Sequence, residues 1–115
     1  MSTANWVTTT ITNGTSLSPA IDLADYGYRP IAIVMPAAWT AANLTFQGSH
    51  DGSTFNNLYT SAGVEYLVTA AASQYIILNP ADFLGVQVLK IRSGTSGTPV
   101  NQGADRTLSL VIKPY

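Results

Sequence analysis

The chain has no cysteine and very little charge. Without cysteine it forms neither disulfides nor thiolate metal sites. Only 10% of its 115 residues are charged, whereas typical soluble domains have about 25%, so Thr, Ser, Asn, Gln and Gly must cover the surface. Association then desolvates few charges. The composition therefore favours a subunit of a permanent assembly, and the alternative is a monomer with a Thr- and Ser-rich exterior.

The sequence also lacks clustered basic residues, a signal peptide and a membrane-spanning segment. Nucleic acids and anionic lipids are bound by several clustered cations, so we expect neither as a partner. The apolar stretch Ile31–Ala38 is too short to cross a bilayer. Met1–Trp6 has neither a basic start nor an apolar core, so we expect synthesis in a cytoplasm without a secretory signal. The five basic residues are Arg29, Lys90, Arg92, Arg106 and Lys113.

The clearest structural pattern lies in Leu44–Tyr59, where two alternating apolar runs flank Asp51-Gly52. An Asp-Gly pair suits the tight turn of a hairpin, in which two adjacent residues need positive φ. The pattern predicts an antiparallel hairpin. We expect its apolar side chains to face the core: Leu44, Phe46, Phe55 and Leu58.

Further short strands are predicted along the whole chain, separated by Gly, Pro and Asn turns. The short segment Ala37–Ala42 suggests a helical turn. Asn79–Gly85 predicts another, with Asn79 as its N-cap and Pro80 at its first position. About eight short strands with at most one or two helical turns indicate an all-β fold, an antiparallel, jelly-roll-like β-sandwich in a single domain, 1–115. The other predicted strands are 6–12, 18–23, 31–35, 64–68, 74–78, 86–92 and 106–113.

Residues capable of chemistry are sparse. The single histidine, His50, adjoins Asp51 at the predicted turn, where neighbouring side chains diverge, and no nucleophile motif accompanies them. The carboxylates are spread along the chain without the facing pair of a glycosidase, and Asp22 with Asp25 is best interpreted as a polar turn. We therefore expect no enzymatic activity, no cofactor and no metal site.

Aromatic and polar loop residues are the candidate interaction anchors. Trp6 and Tyr115 lie near the two ends, which suggests that both ends dock. Trp39 precedes the hairpin and is predicted either to contact a partner or to fold back onto the core. The polar segment 93–105 is predicted to be an interaction loop ordered by a neighbour, with Asn101 and Gln102 as candidate contacts.

Part of the sequence resembles discoidin-type, galactose-binding-like jelly rolls. The hairpin segment Gln47–Leu58 is similar to their Ser-x-Asp-Gly-x-x-Trp/Phe strand-turn-strand, and Phe83–Arg92 is similar to their strand after a capped turn. The resemblance implies a jelly roll. Those domains bind glycans or lipid through loops at one end, but no ligand residues of this chain match theirs.

A second resemblance covers nearly the whole chain. The segments Met35–Gln47, Leu89–Thr95 and Pro99–Leu108 resemble a family of small proteins encoded by tailed phages and prophages. This implies a virion structural protein, most plausibly a capsid decoration (cement) protein that binds the major capsid protein or other virion proteins. A homo-oligomer is implied, with a trimer favoured. The alternative is a head spike, fibre or tail-associated module that binds a glycan during host adsorption.

Overall fold

The computed structural model describes residues 5–23 and 28–114, and this part of the chain is nearly all β. The prediction of an all-β fold with about eight short strands is therefore confirmed. A short 3-10 helix, Pro80–Phe83, follows the sixth strand, and Asn79 caps it by accepting a hydrogen bond from the Ala81 N–H, as predicted. The strands are β1 Asn5–Ile11, β2 Ile21–Asp22, β3 Tyr28–Val34, β4 Leu44–Ser49, β5 Asn56–Asn57, β6 Tyr75–Ile77, β7 Val88–Ser93 and β8 Arg106–Pro114.

Two four-stranded sheets form the sandwich. Sheet A has the order β1-β8-β3-β6 and sheet B has the order β2-β7-β4-β5, with every pairing antiparallel. The strands pair as nested partners around the β4–β5 hairpin: β3 with β6, β2 with β7 and β1 with β8. This is a long hairpin rolled into two sheets, which is the topology of a jelly roll.

The core lies between the sheets and follows the alternation of side chains along each strand. Sheet B contributes Phe46, Leu89 and Ile91, which are fully buried. Sheet A contributes alternate residues of β8, of which Leu108 and Leu110 are fully buried. Since these strands alternate inward and outward, their remaining side chains form the two outer faces of the sandwich.

The predicted hairpin is present, but its turn is not the expected tight one. β4 and β5 pair only at Gln47 with Asn57 and at Gly48 with Asn56, so the loop is wider than two residues. Among the described residues Gly52 has a positive φ of 82°, and Asp51 does not. The Asp51 carboxylate instead accepts hydrogen bonds from the N–H groups that follow it, which favours an Asx-type turn.

Three further expectations are corrected. Phe55 was predicted to face the core, but its ring lies under the Lys90 ammonium, 4.2 Å from the ring centroid, where a cation–π contact stabilises it on the outer face of sheet B. Segment 64–68 forms isolated bridges rather than a strand, because its pairing changes from Tyr59 to Leu44 within three residues. Ala37–Ala42 forms bends without a helical turn, since so short a segment gains few helical hydrogen bonds.

In the described ranges, no helix has the length and apolar character needed to cross a membrane.

Candidate interaction surface

The outer face of sheet A carries two rows of side chains that run across all four strands. The register of the strands defines the rows, because residues directly opposite each other point to the same side. No residue in either row is charged. Beyond the first row, toward the end of β8, the next opposed residues on this face are Arg29 and Lys113, which are both charged. The first row is Trp6, Val111, Ala32 and Ile77, and the second is Thr8, Ser109, Val34 and Tyr75.

Three large side chains of this face are unusually exposed. Trp6 is 67% exposed on β1, and Tyr75 and Ile77 are 63% and 77% exposed on β6 at the opposite edge. Between Trp6 and Tyr75 lies a shallow groove of about 390 Å³, whose floor is formed by Val34, Ser109 and Val111. The groove therefore has aromatic walls and a floor of two valines and one serine.

Such a patch is large for a chain of this size. An aromatic side chain has roughly 150–250 Å² to bury, so Trp6, Tyr75 and Ile77 together leave about 400 Å² of mostly apolar surface in water. Patches of about 300–600 Å² are the largest on typical monomers and are often functional. The outer face of sheet A is therefore the candidate interaction surface.

The His50–Asp51 pair lies at the β4–β5 turn, where Asp51 has a structural role. Hydrogen bonds from the backbone N–H groups of Thr54 and Ser53, and from the Ser49 hydroxyl, lower the pKa of Asp51 from 3.8 to about 2. The carboxylate is thus a permanent acceptor that closes the turn. A group with so low a pKa is a poor general base at neutral pH.

The only charged pair within salt-bridge distance in the described ranges joins Arg92 and Glu65, with 3.3 Å between Nη1 and Oε2. Arg92 is buried on the outer side of sheet B, where it also donates to Asn57 Oδ1 at 2.6 Å. The Glu65 carboxylate accepts a further hydrogen bond from the Ser96 N–H. This arrangement attaches segment 64–68 and the start of loop 93–105 to the sheet, and it uses Glu65 for structure.

Within residues 5–23 and 28–114, no three His, Cys, Asp or Glu side chains are grouped so that they could hold a metal ion.

The predicted anchors are found in different environments. Trp6 is on the candidate surface, and Asn101 is exposed on its loop. Trp39 is half-buried against the core, and its Nε1 donates to the Ala42 carbonyl at 3.0 Å, so it folds back as the alternative interpretation expected. Tyr115 lies outside the described residues. Of the anchors that the structure describes, Trp6 is the one that belongs to the two rows of the candidate surface.

Gln102 has a different role from the one predicted, because it is only 1% exposed. Its amide donates to the Thr40 carbonyl and the Ser93 hydroxyl and accepts from the Thr40 N–H, at 3.0, 2.6 and 2.8 Å. Its backbone pairs with Thr15 and Gly14. Loop 93–105 therefore has bonds within the chain that hold it, and its ordering by a neighbour stays a prediction.

Sequence reasoning missed Val34, Ile77 and Val111 as residues of this surface. Each lies in a continuous apolar run, and such a run does not distinguish the inner from the outer face. The apolar runs that contain them belong to β3, β6 and β8, which are neighbours in sheet A. Only the strand order shows that their outward side chains share one face, and the sequence does not state that order.

Comparison of the chain with protein-family models, with curated proteins and with solved structures finds no match. The resemblances noted in the sequence therefore stay predictions, and the interpretation of function depends on the surface described above.

Proposed function

We propose that this chain is a non-enzymatic structural protein of a phage virion, made in the host cytoplasm, that docks on a protein lattice through the outer face of sheet A. A capsid decoration protein bound to the major capsid protein is the form we favour. The observation that carries the proposal is the pair of uncharged rows on this face, with Trp6, Tyr75 and Ile77 exposed on them.

The chemistry of this face favours a protein partner. Trp and Tyr are enriched among the residues that dominate binding energy at protein interfaces. Because the two rows carry no charge, docking leaves no unpaired ion buried. The nearest charges, Arg29 and Lys113, lie at one end, as expected for the rim of an interface.

The fold is compatible with a role in the capsid, but it is equally compatible with other roles. Jelly rolls occur in viral capsid domains and in lectin domains, and a shared fold does not by itself imply a shared function. The whole-chain phage resemblance and the low charge of the sequence point in the same direction. In this role the protein acts mechanically, since apolar contacts that span neighbouring capsid subunits hold them together.

The composition of purified particles tests the proposal. Virions from the phage or prophage that encodes the chain are purified by density gradient and analysed by quantitative mass spectrometry. We expect many copies per particle, in a fixed ratio to the major capsid protein. Absence from the particles, while the chain is present in the lysate, would contradict the proposal.

A glycan-binding module for host adsorption is the second candidate, and one observation favours it. Trp6 and Tyr75 flank a single groove, and aromatic rings of this kind stack on sugars. The lining residues offer two hydroxyls to a sugar, those of Ser109 and Tyr75, and no charged or amide side chain. Glycan-array binding that is lost in Trp6→Ala would favour this candidate, whereas no binding across a broad array would count against it.

A further inference from the structure

We propose that the free edge of β1 pairs with β1 of a second copy of this chain. The two strands run antiparallel about a two-fold axis and join the two A sheets into one continuous sheet of eight strands. This inference depends on the edge of sheet A and not on its outer face, so it is independent of the proposed function.

The four strand edges of the sandwich differ greatly in length. β2 and β5 have two residues each and β6 has three, whereas β1 has seven. Natural sheets protect their edges with short strands, charges, prolines or bulges. β1 has none of these protections: it contains no charged residue and no proline, and its register with β8 is continuous from Asn5 to Ile11.

In the described part of the chain, the free side of β1 borders a groove and not another paired strand. The groove has a volume of about 410 Å³, with residues 7–10 on one side and residues 19–22 on the other. Within the described ranges, no backbone hydrogen bond links residues 6–10 to a strand other than β8. Alternate main-chain groups of β1 therefore face this groove, and an added strand would satisfy them.

A second copy fits this edge because residues close to a two-fold axis face the same residues of the partner, and the residues of β1 are compatible with their own copies. With Thr8 opposite Thr8 of the second copy, Trp6 lies opposite Thr10. Threonine hydroxyls donate as well as accept, so they complement their own copies, and cross-strand Thr pairs stabilise sheets. A charged residue at the axis would instead repel its own copy, and β1 has no such residue.

The length of β1 and the thickness of the molecule bound the contact area. Seven strand residues extend over about 23 Å, and the smallest dimension of the molecule is 25 Å. The side of the sandwich along β1 therefore projects over about 600 Å². This is below the roughly 800 Å² per partner of a standard interface, so the main-chain hydrogen bonds of the added strand must contribute part of the affinity.

Antiparallel pairing of identical edges closes after two chains. A head-to-tail trimer would need β1 to pair with a different edge, and the other three edges are only two or three residues long. In this proposal a two-fold pair therefore replaces the trimer that the sequence favoured.

Engineered cysteines test the pairing directly, because the natural chain has no cysteine. Thr8→Cys and Thr10→Cys are compared with Thr54→Cys, an exposed threonine in the turn before β5, remote from β1 in strand order. Cysteines opposite each other in paired strands have the separation that a disulfide needs. In this register Thr8 faces its own copy, whereas Thr10 faces Trp6 of the second copy. Under mild oxidation we expect Thr8→Cys to form a linked dimer at least about tenfold faster than Thr54→Cys, and Thr10→Cys to stay slow. If Thr8→Cys is no faster than Thr54→Cys, the pairing is wrong.

Sedimentation of the unmodified chain gives the second readout. We expect twice the 12.2 kDa of one chain at about 100 μM protein. Thr8→Lys alone and Thr8→Glu alone are expected to sediment as single chains, and their mixture is expected to restore the pair. A wild-type mass of one chain or of three chains would overturn the proposal. If a charged variant does not fold, the cysteine comparison still decides.

Discussion

Gly94 offers the sharpest test of how loop 93–105 is held. Its φ is +90°, in the region that glycine enters without strain. A Cβ added there would lie 2.6 Å from the Thr98 carbonyl oxygen and 2.7 Å from the Val100 nitrogen. Both are backbone atoms, so they do not move aside as the end of a flexible side chain would. We therefore expect Gly94→Ala to destabilise the isolated chain strongly.

The magnitude follows from two contributions. Holding a residue with a Cβ in a left-handed conformation costs about 1–2 kcal/mol, and overpacking at a tight site costs about 1–3 kcal/mol. Together they lower the free energy of unfolding by about 2–5 kcal/mol, out of the roughly 5–15 kcal/mol of a typical domain. Gly97 lies in the same loop, and a Cβ there has no atom within 4 Å. Gly97→Ala is therefore the matched control, with a change of at most about 0.5 kcal/mol.

The free energy of unfolding of both variants is measured at constant pH by urea denaturation, monitored by circular dichroism or tryptophan fluorescence. We expect Gly94→Ala to lower the midpoint substantially with little change in slope, because the surface exposed on unfolding is the same. A loss below about 1 kcal/mol would refute the reasoning. It would mean that the loop is not held in this conformation in the isolated chain and that a neighbour orders it.

The remaining predictions concern charged and titrating groups. Glu65→Ala should lower the free energy of unfolding, measured by urea denaturation, by about 3 kcal/mol, because it leaves Arg92 buried without its carboxylate partner. Replacing both Glu65 and Arg92 by apolar residues should restore most of that free energy. Asp51 has a folded pKa of about 2 against 3.8, so its contribution to stability is present above pH 3.8 and is lost as pH falls through 2. Asp51→Asn should therefore remove most of the change in urea midpoint with pH between about pH 4 and about pH 2. Burial, then the hydrogen bond to Asp82, raise the pKa of Tyr66 from 10.0 to about 12. Its contribution is therefore present below pH 10 and is lost as pH rises through 12, and Tyr66→Phe should remove this dependence.

The architecture was largely accessible from the sequence. Residues 86–92 were predicted to form a strand, and β7 spans Val88–Ser93. The Asn79-Pro80 pair predicted a capped turn that the structure contains. These predictions succeeded because capping and the alternation of side chains depend on neighbouring residues, which the sequence lists in order.

The candidate surface was not accessible in the same way. Trp6 was singled out, but Tyr75 and Ile77 join it only because β1 and β6 flank the same sheet. Gln102 was taken for an exposed polar residue, and its burial depends on a contact with Thr40, sixty-two positions away. Arg92 is buried by its pair with Glu65, twenty-seven positions away, and nothing in the sequence indicated this contact. Long-range packing decides each of these outcomes.

The central claim is that the outer face of sheet A docks on the capsid. The most direct test is to add the purified chain to particles that lack it. Particles are prepared from a deletion of the encoding gene, mixed with purified protein and sedimented. Tyr75→Glu changes the candidate surface, and Tyr59→Glu is its matched control, since Tyr59 is 53% exposed and lies beside sheet B. Both variants are first checked for folding by circular dichroism.

We expect wild type and Tyr59→Glu to cosediment with the particles to the same saturating ratio. For Tyr75→Glu we expect at least about a tenfold loss of affinity, which corresponds to about 1.4 kcal/mol. Equal binding of the two variants, or no binding of the wild type to the particles, would contradict the account.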